Sequence, residues 1–313
     1  MPRASIIVVT HNRPRLLIRA VESLRNAGTD LEIVVVDNAS SDETARVCRS
    51  LPRLKYIRID RHQALGGARN VGLVASEGEY VGFLDDDDTR LANSIDLQLD
   101  ILKHEPKAGF VYGQAIIGDR EDRPQTRSYP RECAQGDIFW RLLEHNFIPS
   151  GSVIYRRHCL SAVGIFDALP ALADWDLCLR LAELYTVVAV DAPVMIWRQS
   201  TPISGQVTSD AAGLVSNSVR QFRNWMKLPR AAAASRRKKQ MLWRAFSENM
   251  AEHLICESAR ALRCGELRQA AKNLSTIAQL QPFTTARVAR KRAHKLPGML
   301  RSTWKRTLAE SQD

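Results

Sequence analysis

The sequence contains no run approaching the roughly 18 apolar residues that a bilayer-spanning helix needs, so it holds no candidate membrane span. Met1-Pro2-Arg3-Ala4-Ser5 leads almost at once into a strand-like run, Ile6 to Val9. With neither an apolar h-region nor a cleavage site there, no secretory leader is expected, and a cytoplasmic protein is. None of the 6 cysteines (Cys48, Cys133, Cys159, Cys178, Cys256, Cys264) belongs to a Cys-x-x-Cys pair. That excludes a zinc ribbon or a disulfide framework and points to reduced, mostly buried thiols. The Gly-x-Gly-x-x-Gly fingerprint is also missing, and the glycine pair that exists does not follow the first strand, which excludes the usual dinucleotide site.

What is present is ordinary in amount and uneven in placement. With 313 residues, 45% hydrophobic and 25% charged, the chain can bury a large core and carry an appendage. The net charge of +11 is concentrated at one end: residues 219–313 hold 21 Lys and Arg against 6 Asp and Glu, whereas residues 1–218 hold 24 against 28. This asymmetry predicts two parts, a catalytic-looking region over 1–208 and a basic helical region over 209–313.

The first part alternates strand and helix patterns. Strands are predicted at Ser5–Thr10, Glu32–Val36, Leu54–Ile59, Tyr80–Leu84, Gly109–Tyr112 and Gly151–Tyr155, with Val187–Val190 and Val194–Trp197 as a closing pair. Helices are predicted at Arg15–Ala27, from a Ser41 or Asp42 cap to Ser50, and at Gly66–Ala75, Leu91–His104 and Trp175–Leu184. Repeated βα units imply an α/β fold with a mostly parallel central sheet covered by helices on both faces. Asp119–Pro130 is polar and aperiodic and reads as an exposed loop or hairpin tip. After Thr208 only helical patterns remain, including a hairpin that turns at Gly265 and ends at Pro282.

Four places carry chemistry. Asp85-Asp86-Asp87-Asp88 ends an apolar strand, where four carboxylates repel unless a cation or water intervenes, and oxygen-only donors suit Mg²⁺ or Mn²⁺ shared with a diphosphate. Thr10-His11-Asn12 and Asp37 end neighbouring strands and can line one crevice, with Asp37 accepting from a base edge or ribose, although Asp37–Asp42 also reads as a plain turn and cap. Gly66-Gly67-Ala68-Arg69-Asn70 opens a helix with an arginine in its first turn, a plausible anion site or simply a flexible helix entry. Asp174, before a helix and beside Trp175, is a candidate general base whose pKa partial burial would raise, or else a helix N-cap. Asp176 falls in the first turn, where the helix dipole favours an anion.

In order and spacing these segments resemble the family 2 glycosyltransferases, which have the A-type glycosyltransferase fold. The resemblance runs through Ser5–Asn12, Glu32–Asn38 with Ser41-Asp42, Gly66–Gly72, Gly78–Asp88 and Gly164–Asp167 before Asp174–Leu177, over roughly residues 4–200. It implies sugar transfer from a nucleoside diphosphate sugar to a carbohydrate or lipid-linked acceptor hydroxyl, with inversion and help from Mg²⁺ or Mn²⁺, in bacterial cell-surface polysaccharide or glycolipid synthesis. Asp37 would contact the base, Arg69 the base or phosphates, Asp85 the ribose and Asp87 the metal, with Asp86 and Asp88 as alternatives, while Asp174 would be the catalytic base. Thr10, Asn12 and Asp86 join the expected nucleotide contacts; Arg198, Trp175 and Asp176 are expected near the diphosphate or acceptor, and His145 and Asn146 near an acceptor pocket around Phe147–Ser152. Two departures stand out: Ala173 replaces the Glu common before the base, and Trp197–Val207 has no histidine, leaving Arg198 and Gln199 to reach the diphosphate.

A sugar nucleotidyltransferase is the rival enzyme, but His11-Asn12-Arg13-Pro14 lacks the glycine-rich loop that class needs. A catalytically inactive sugar-nucleotide-binding or interaction protein is the non-enzymatic rival, opposed by the intact acids. In the tail, Val288, Leu296, Leu300, Trp304 and Leu308 lie among Arg and Lys, an amphipathic pattern suited to an anionic membrane surface and peripheral placement on the inner face of the cell membrane. No nucleic-acid module accompanies the charge, so no nucleic acid is expected.

Overall fold

The computed structural model describes residues 2–119, 123–166, 172–198 and 210–280, which divide into two compact units, residues 1–142 with 146–207 and residues 143–145 with 208–313. In the first unit the elements run β1 (Ala4–Thr10), α1 (Pro14–Arg25), β2 (Leu31–Asn38), α2 (Thr44–Ser50), β3 (Lys55–Ile59), α3 (Leu65–Ala75), β4 (Tyr80–Asp85), β5 (Thr89–Arg90), α4 (Ser94–His104), β6 (Ala108–Gly118), β7 (Pro124–Tyr129), α5 (Phe139–Glu144), β8 (Ile154–Arg156), α6 (Arg157–Val163), α7 (Ala173–Leu184) and β9 (Thr186–Arg198).

The sheet order is β3-β2-β1-β4-β8-β6-β9-β5, with β7 paired to β6. The β3-β2-β1-β4 half is wholly parallel, and most paired residues of the whole sheet lie in parallel ladders. Strands buried on both faces explain the near-continuous apolar runs of β1, β2 and β4. One face packs Leu17, Ala20, Val21 and Leu24 of α1 and Ile95, Leu99 and Leu102 of α4 against Ile6, Val8, Ile33 and Val35. On the other face α3 lies so close to β1 and β2 that a Cβ on Gly72 would collide with Ile7 Cγ2 and meet Val36 Cγ2 at 3.0 Å.

Several expected boundaries move. The two closing strands are one, β9, which runs parallel to β6 across register shifts near Gly113–Ala115. The long ladder extends β6 from the expected Gly109–Tyr112 to Gly118, well past the short apolar signal. Asp119–Pro130 contains strand β7, antiparallel to β6, so it holds the return arm of a hairpin, with residues 120–122 outside the described residues. Helix α7 starts at Ala173 with Leu172 as N-cap, so Asp174 is inside the first turn and is not the cap. Ser41 caps nothing; Asp42 Oδ1 accepts from the Thr44 amide and hydroxyl at 2.9 and 2.5 Å, bracing the entry to α2.

The second unit is helical among its described residues: α8 (Ala211–Trp225), α9 (Pro229–Ala232), α10 (Arg236–Arg263) and α11 (Leu267–Leu280). Ala211, Val215, Ala251, Leu254, Ile255 and Ile277 form its core, and Gly265, at φ +76°, makes the turn from α10 to α11. Asp210 accepts from the Gly213 amide at 3.1 Å and from Lys272 at 2.8 Å, tying α8 to α11. No described helix is long and apolar enough to cross a membrane. Asp167, Gln199–Val207, Pro282 and the amphipathic stretch over 283–313 lie outside the described residues.

Candidate active site

Register places the chemistry at one edge. Thr10 pairs with Asp37 and Val9 with Asp85, while Asp37 pairs with Arg58 of β3. The carboxyl ends of β1, β2 and β4 therefore converge, as they do wherever parallel α/β sheets hold ligands.

The four aspartates take different partners, although Asp86 and Asp87 share Arg13. The Asp88 amide donates to the Asp85 carbonyl at 3.1 Å, closing a turn. Asp85 Oδ1 accepts from Arg69 Nη2 at 2.7 Å. Asp86 accepts from the Thr10 hydroxyl at 2.8 Å and Arg13 Nη1 at 3.1 Å, and Arg13 reaches Asp87 at 3.5 Å. Asp88 Oδ1 accepts from the Arg198 amide at 2.9 Å, which brings the end of β9 to the turn. The protein's own cations and donors offset part of the repulsion, while the Asp87 charge still acts on Asp86. Burial still pushes the Asp86 carboxyl up to about 6, against the opposing charge of Arg13. Asp85 is the open one, its side chain 39% exposed against 7% for Asp86 and Asp87.

Asp37 is fully buried and surrounded by donors: the Ser40 amide at 2.8 Å, the Tyr56 hydroxyl at 2.8 Å and Arg58 Nη1 at 3.0 Å. Burial alone would raise its pKa; the hydrogen bonds from Ser40 and Tyr56 and the Arg58 charge outweigh it, so the carboxyl sits below its ordinary value. Asn12, in the left-handed region at φ +54°, braces the neighbouring loop: its amide donates to Ser40 Oγ at 2.9 Å and its Oδ1 accepts from the Ser41 amide at 2.8 Å.

Arg69 sits at the centre. It is 4% exposed, and its guanidinium lies 5.8 Å from the Phe83 ring centroid and 5.6 Å from that of Phe166. Beyond its bond to Asp85, its charge acts on Asp174. Asp174 is half-buried; burial raises its pKa and Arg69 partly restrains the rise. A raised carboxyl at the site edge is the property a general base needs.

The other two α7 candidates turn inward. Successive helical residues are rotated by about 100°, so Trp175 and Asp176 cannot share the direction of Asp174. Trp175 is 4% exposed and its indole N–H donates to the Leu142 carbonyl at 2.8 Å. Asp176, 3% exposed, accepts from Arg180 Nε at 2.8 Å. Both side chains thus pack inside the protein, each with an internal partner. Phe147, Ile148, Gly151 and Ser152 are likewise buried in the core, and Asn146 is engaged with its own turn, its Oδ1 accepting from the Ile148 amide at 3.1 Å. Arg13, Tyr56 and Arg58 were missed by sequence reading, because only the assembled sheet, through its parallel register, sets Arg58 beside Asp37.

Among the described residues no group of three His, Cys, Asp or Glu converges as a metal cage. A Mg²⁺ or Mn²⁺ ion carried with a diphosphate needs only one or two carboxylates, and the oxygen-only Asp85–Asp88 turn meets that requirement.

Residues 5–164 match the family model described as Glycosyl transferase family 2. Over 125 residues the chain is 39% identical to a Campylobacter jejuni GalNAc(5)-diNAcBac-PP-undecaprenol beta-1,3-glucosyltransferase, covering 37% of this chain and 39% of that protein. The chain thus spans about two fifths of that relative's length. Two solved structures share the fold: S. aureus TarS 1–349 in complex with UDP-GlcNAc (TM-score 0.61, 18% identity, 96% of this chain and 85% of that one) and the mannosyltransferase PcManGT from Pyrobaculum calidifontis in complex with GDP-Man and Mn²⁺ (TM-score 0.57, 20% identity, 98% and 84%).

Proposed function

The chain belongs to glycosyl transferase family 2, and from that premise we propose that it moves a sugar from a nucleoside diphosphate sugar to an acceptor hydroxyl with inversion. The observation that carries this reading is that Asp37 and Asp85 flank β1 at one sheet edge, while Arg69 links Asp85 electrostatically to Asp174 of α7.

Asp37 and the Asn12-braced loop would receive the base and Asp85 the ribose. Thr10 and Arg13 would act indirectly, by holding Asp86 and Asp87 in the turn. Asp87 would hold a Mg²⁺ or Mn²⁺ ion, which when bound offsets charge on the leaving diphosphate. Arg198, whose amide is fixed to Asp88, would add a positive group on the same side. Asp174 would take the acceptor proton as the hydroxyl attacks C1 from the face opposite the diphosphate, and Arg69 keeps that carboxyl ionised enough to accept it.

The mannosyltransferase neighbour bound to GDP-Man and Mn²⁺ supports the donor and metal class, and the undecaprenol-linked substrate named for the Campylobacter relative supports a lipid-linked glycan acceptor in bacterial polysaccharide or glycolipid synthesis. In this reading the enzyme works at the inner face of the cell membrane, its basic C-terminal region against anionic lipid. A thermal-shift screen of nucleoside diphosphate sugars with Mn²⁺, on wild type and Asp87→Ala, tests donor and metal together. The expected result is a shift specific to one donor that is lost in the variant; equal shifts in both proteins would remove Asp87 from the metal site.

A further inference from the structure

Segment 163–166 connects to the site from two directions that the proposed chemistry does not use. From α3, the Asn70 side chain makes a two-point pairing with the backbone of Phe166: Nδ2 donates to the Phe166 carbonyl at 2.9 Å, and Oδ1 accepts from the Phe166 amide at 3.0 Å. From α7, Arg180 donates to the carbonyls of Val163 at 2.5 Å, Gly164 at 3.2 Å and Ile165 at 3.0 Å, while its Nε is held by Asp176. These carbonyls include those left unpaired where α6 ends, with Gly164 at φ +82°, so Arg180 closes a helix C-terminus from a different helix.

The segment's payload is the Phe166 ring. It is 4% exposed, meets Phe83 edge-on at 4.8 Å and covers the Arg69 guanidinium at 5.6 Å. Arg69 in turn holds Asp85. The contacts form a closed circuit: the helix bearing Asp174 grips 163–165 through Arg180; Phe166 is gripped by Asn70; and Asn70 adjoins Arg69, which reaches Asp85. A surface loop with no task needs one anchor. Here five hydrogen bonds from two side chains fix four consecutive residues, three of them made by one guanidinium that is itself oriented by an acid.

We propose that Asn70 and Arg180 are positioning residues that set Asp174 and Asp85 at a fixed separation by clamping 163–166, with Phe166 and Arg69 as the intermediates. Neither touches the reacting atoms. The inference rests on Asp174 being the base. Its consequence is a rate effect: a donor bound normally, with the base displaced relative to it. Misplacement by about 1 Å costs on the order of 10²-fold in rate.

The variants are Asn70→Ala, which removes both bonds to Phe166, and Arg180→Lys, which keeps a positive charge for Asp176 but cannot span three carbonyls. Leu99→Ala, in the core on the opposite sheet face, serves as a control destabilised without touching the clamp. Each is measured for melting temperature, donor Kd by calorimetry, and kcat, KM and the acid limb of the pH profile for transfer. The expected outcome is kcat down about 10²-fold in both clamp variants, donor Kd within about twofold of wild type, and the acid limb moved to higher pH as the Arg69 charge shifts away from Asp174. A kcat loss no larger than in Leu99→Ala, or a loss confined to KM and donor Kd, overturns the proposal. A wild type that binds donor but transfers no sugar overturns the functional reading instead. The clamp is then read without turnover, from the Asp174 carboxyl titration by ¹³C NMR, its signal assigned with Asp174→Asn. A higher pKa in Asn70→Ala supports the clamp, and an unchanged one overturns it.

Discussion

Replacing Asp37 by Asn tests whether the buried carboxylate is a charge the fold depends on. In the wild type one carboxyl oxygen accepts from the Ser40 amide and the other from both Tyr56 and Arg58. An asparagine can keep the first bond, but its NH₂ then faces a guanidinium that has no acceptor, and only the Tyr56 hydroxyl can turn to meet it. Losing a charge-assisted bond and leaving buried donors opposed costs about 3 kcal/mol. For a unit of this size each kcal/mol is worth about 2–4 °C, so the melting temperature should fall by roughly 6–12 °C. The pH dependence is the sharper reading. Asp37 has a depressed pKa when folded, so its stabilisation is complete above the ordinary carboxylate value near 3.9 and is lost as pH falls through the lower folded value. Asn cannot gain that proton. Urea unfolding of the two proteins should therefore show a constant gap from about pH 8 to about 5, narrowing below about 4. A gap unchanged between pH 7 and pH 3.5, or one below about 0.5 kcal/mol at neutral pH, would refute the reasoning that an ionised Asp37 is what the surrounding donors are built to hold.

Three further outcomes follow from the same geometry. Asp174→Asn should lower kcat by about 10²–10⁴-fold and leave donor Kd nearly unchanged, measured by coupled nucleotide release and calorimetry; a parallel loss of donor affinity would place Asp174 in binding instead. Gly72→Ala forces a methyl into Ile7 and Val36 and should cost about 1–3 kcal/mol by urea unfolding, with a neutral result showing that α3 can back away from the sheet. Removing residues 283–313 should abolish flotation with anionic liposomes and leave neutral ones unaffected, whereas equal binding of the full chain to both lipids would sink the membrane-docking reading.

Much of the site was legible because it is local. Asp37 and Asp85–Asp88 each follow an apolar strand, and strand ends in a βα series must share an edge whatever else the chain does. Asp174 was legible as an acid at a helix start, although α7 begins two residues earlier than the pattern predicts. Successive residues there are rotated by about 100°, so Trp175 and Asp176 pack inside the protein while Asp174 stays half-buried. The apparent electrostatic problem of four adjacent acids was resolved by residues far away in sequence: Arg13, Arg69 and the Arg198 amide reach the turn only once the sheet has assembled.

The sequence by itself determined the periodicities, and with them the α/β class, the strand ends that carry the acids and the helical character of residues 210–280. Tertiary structure alone decided the partners. β9 is one long strand because β6 pairs with it, Asp37 is held ionised by Ser40, Tyr56 and the Arg58 that parallel register sets beside it, and Asn70 meets Phe166 across 96 residues of chain. Hydrophobic period is a property of neighbouring residues and can be read directly. Hydrogen-bond partnership between distant residues depends on register and on which helix covers which sheet face, and no local pattern encodes those.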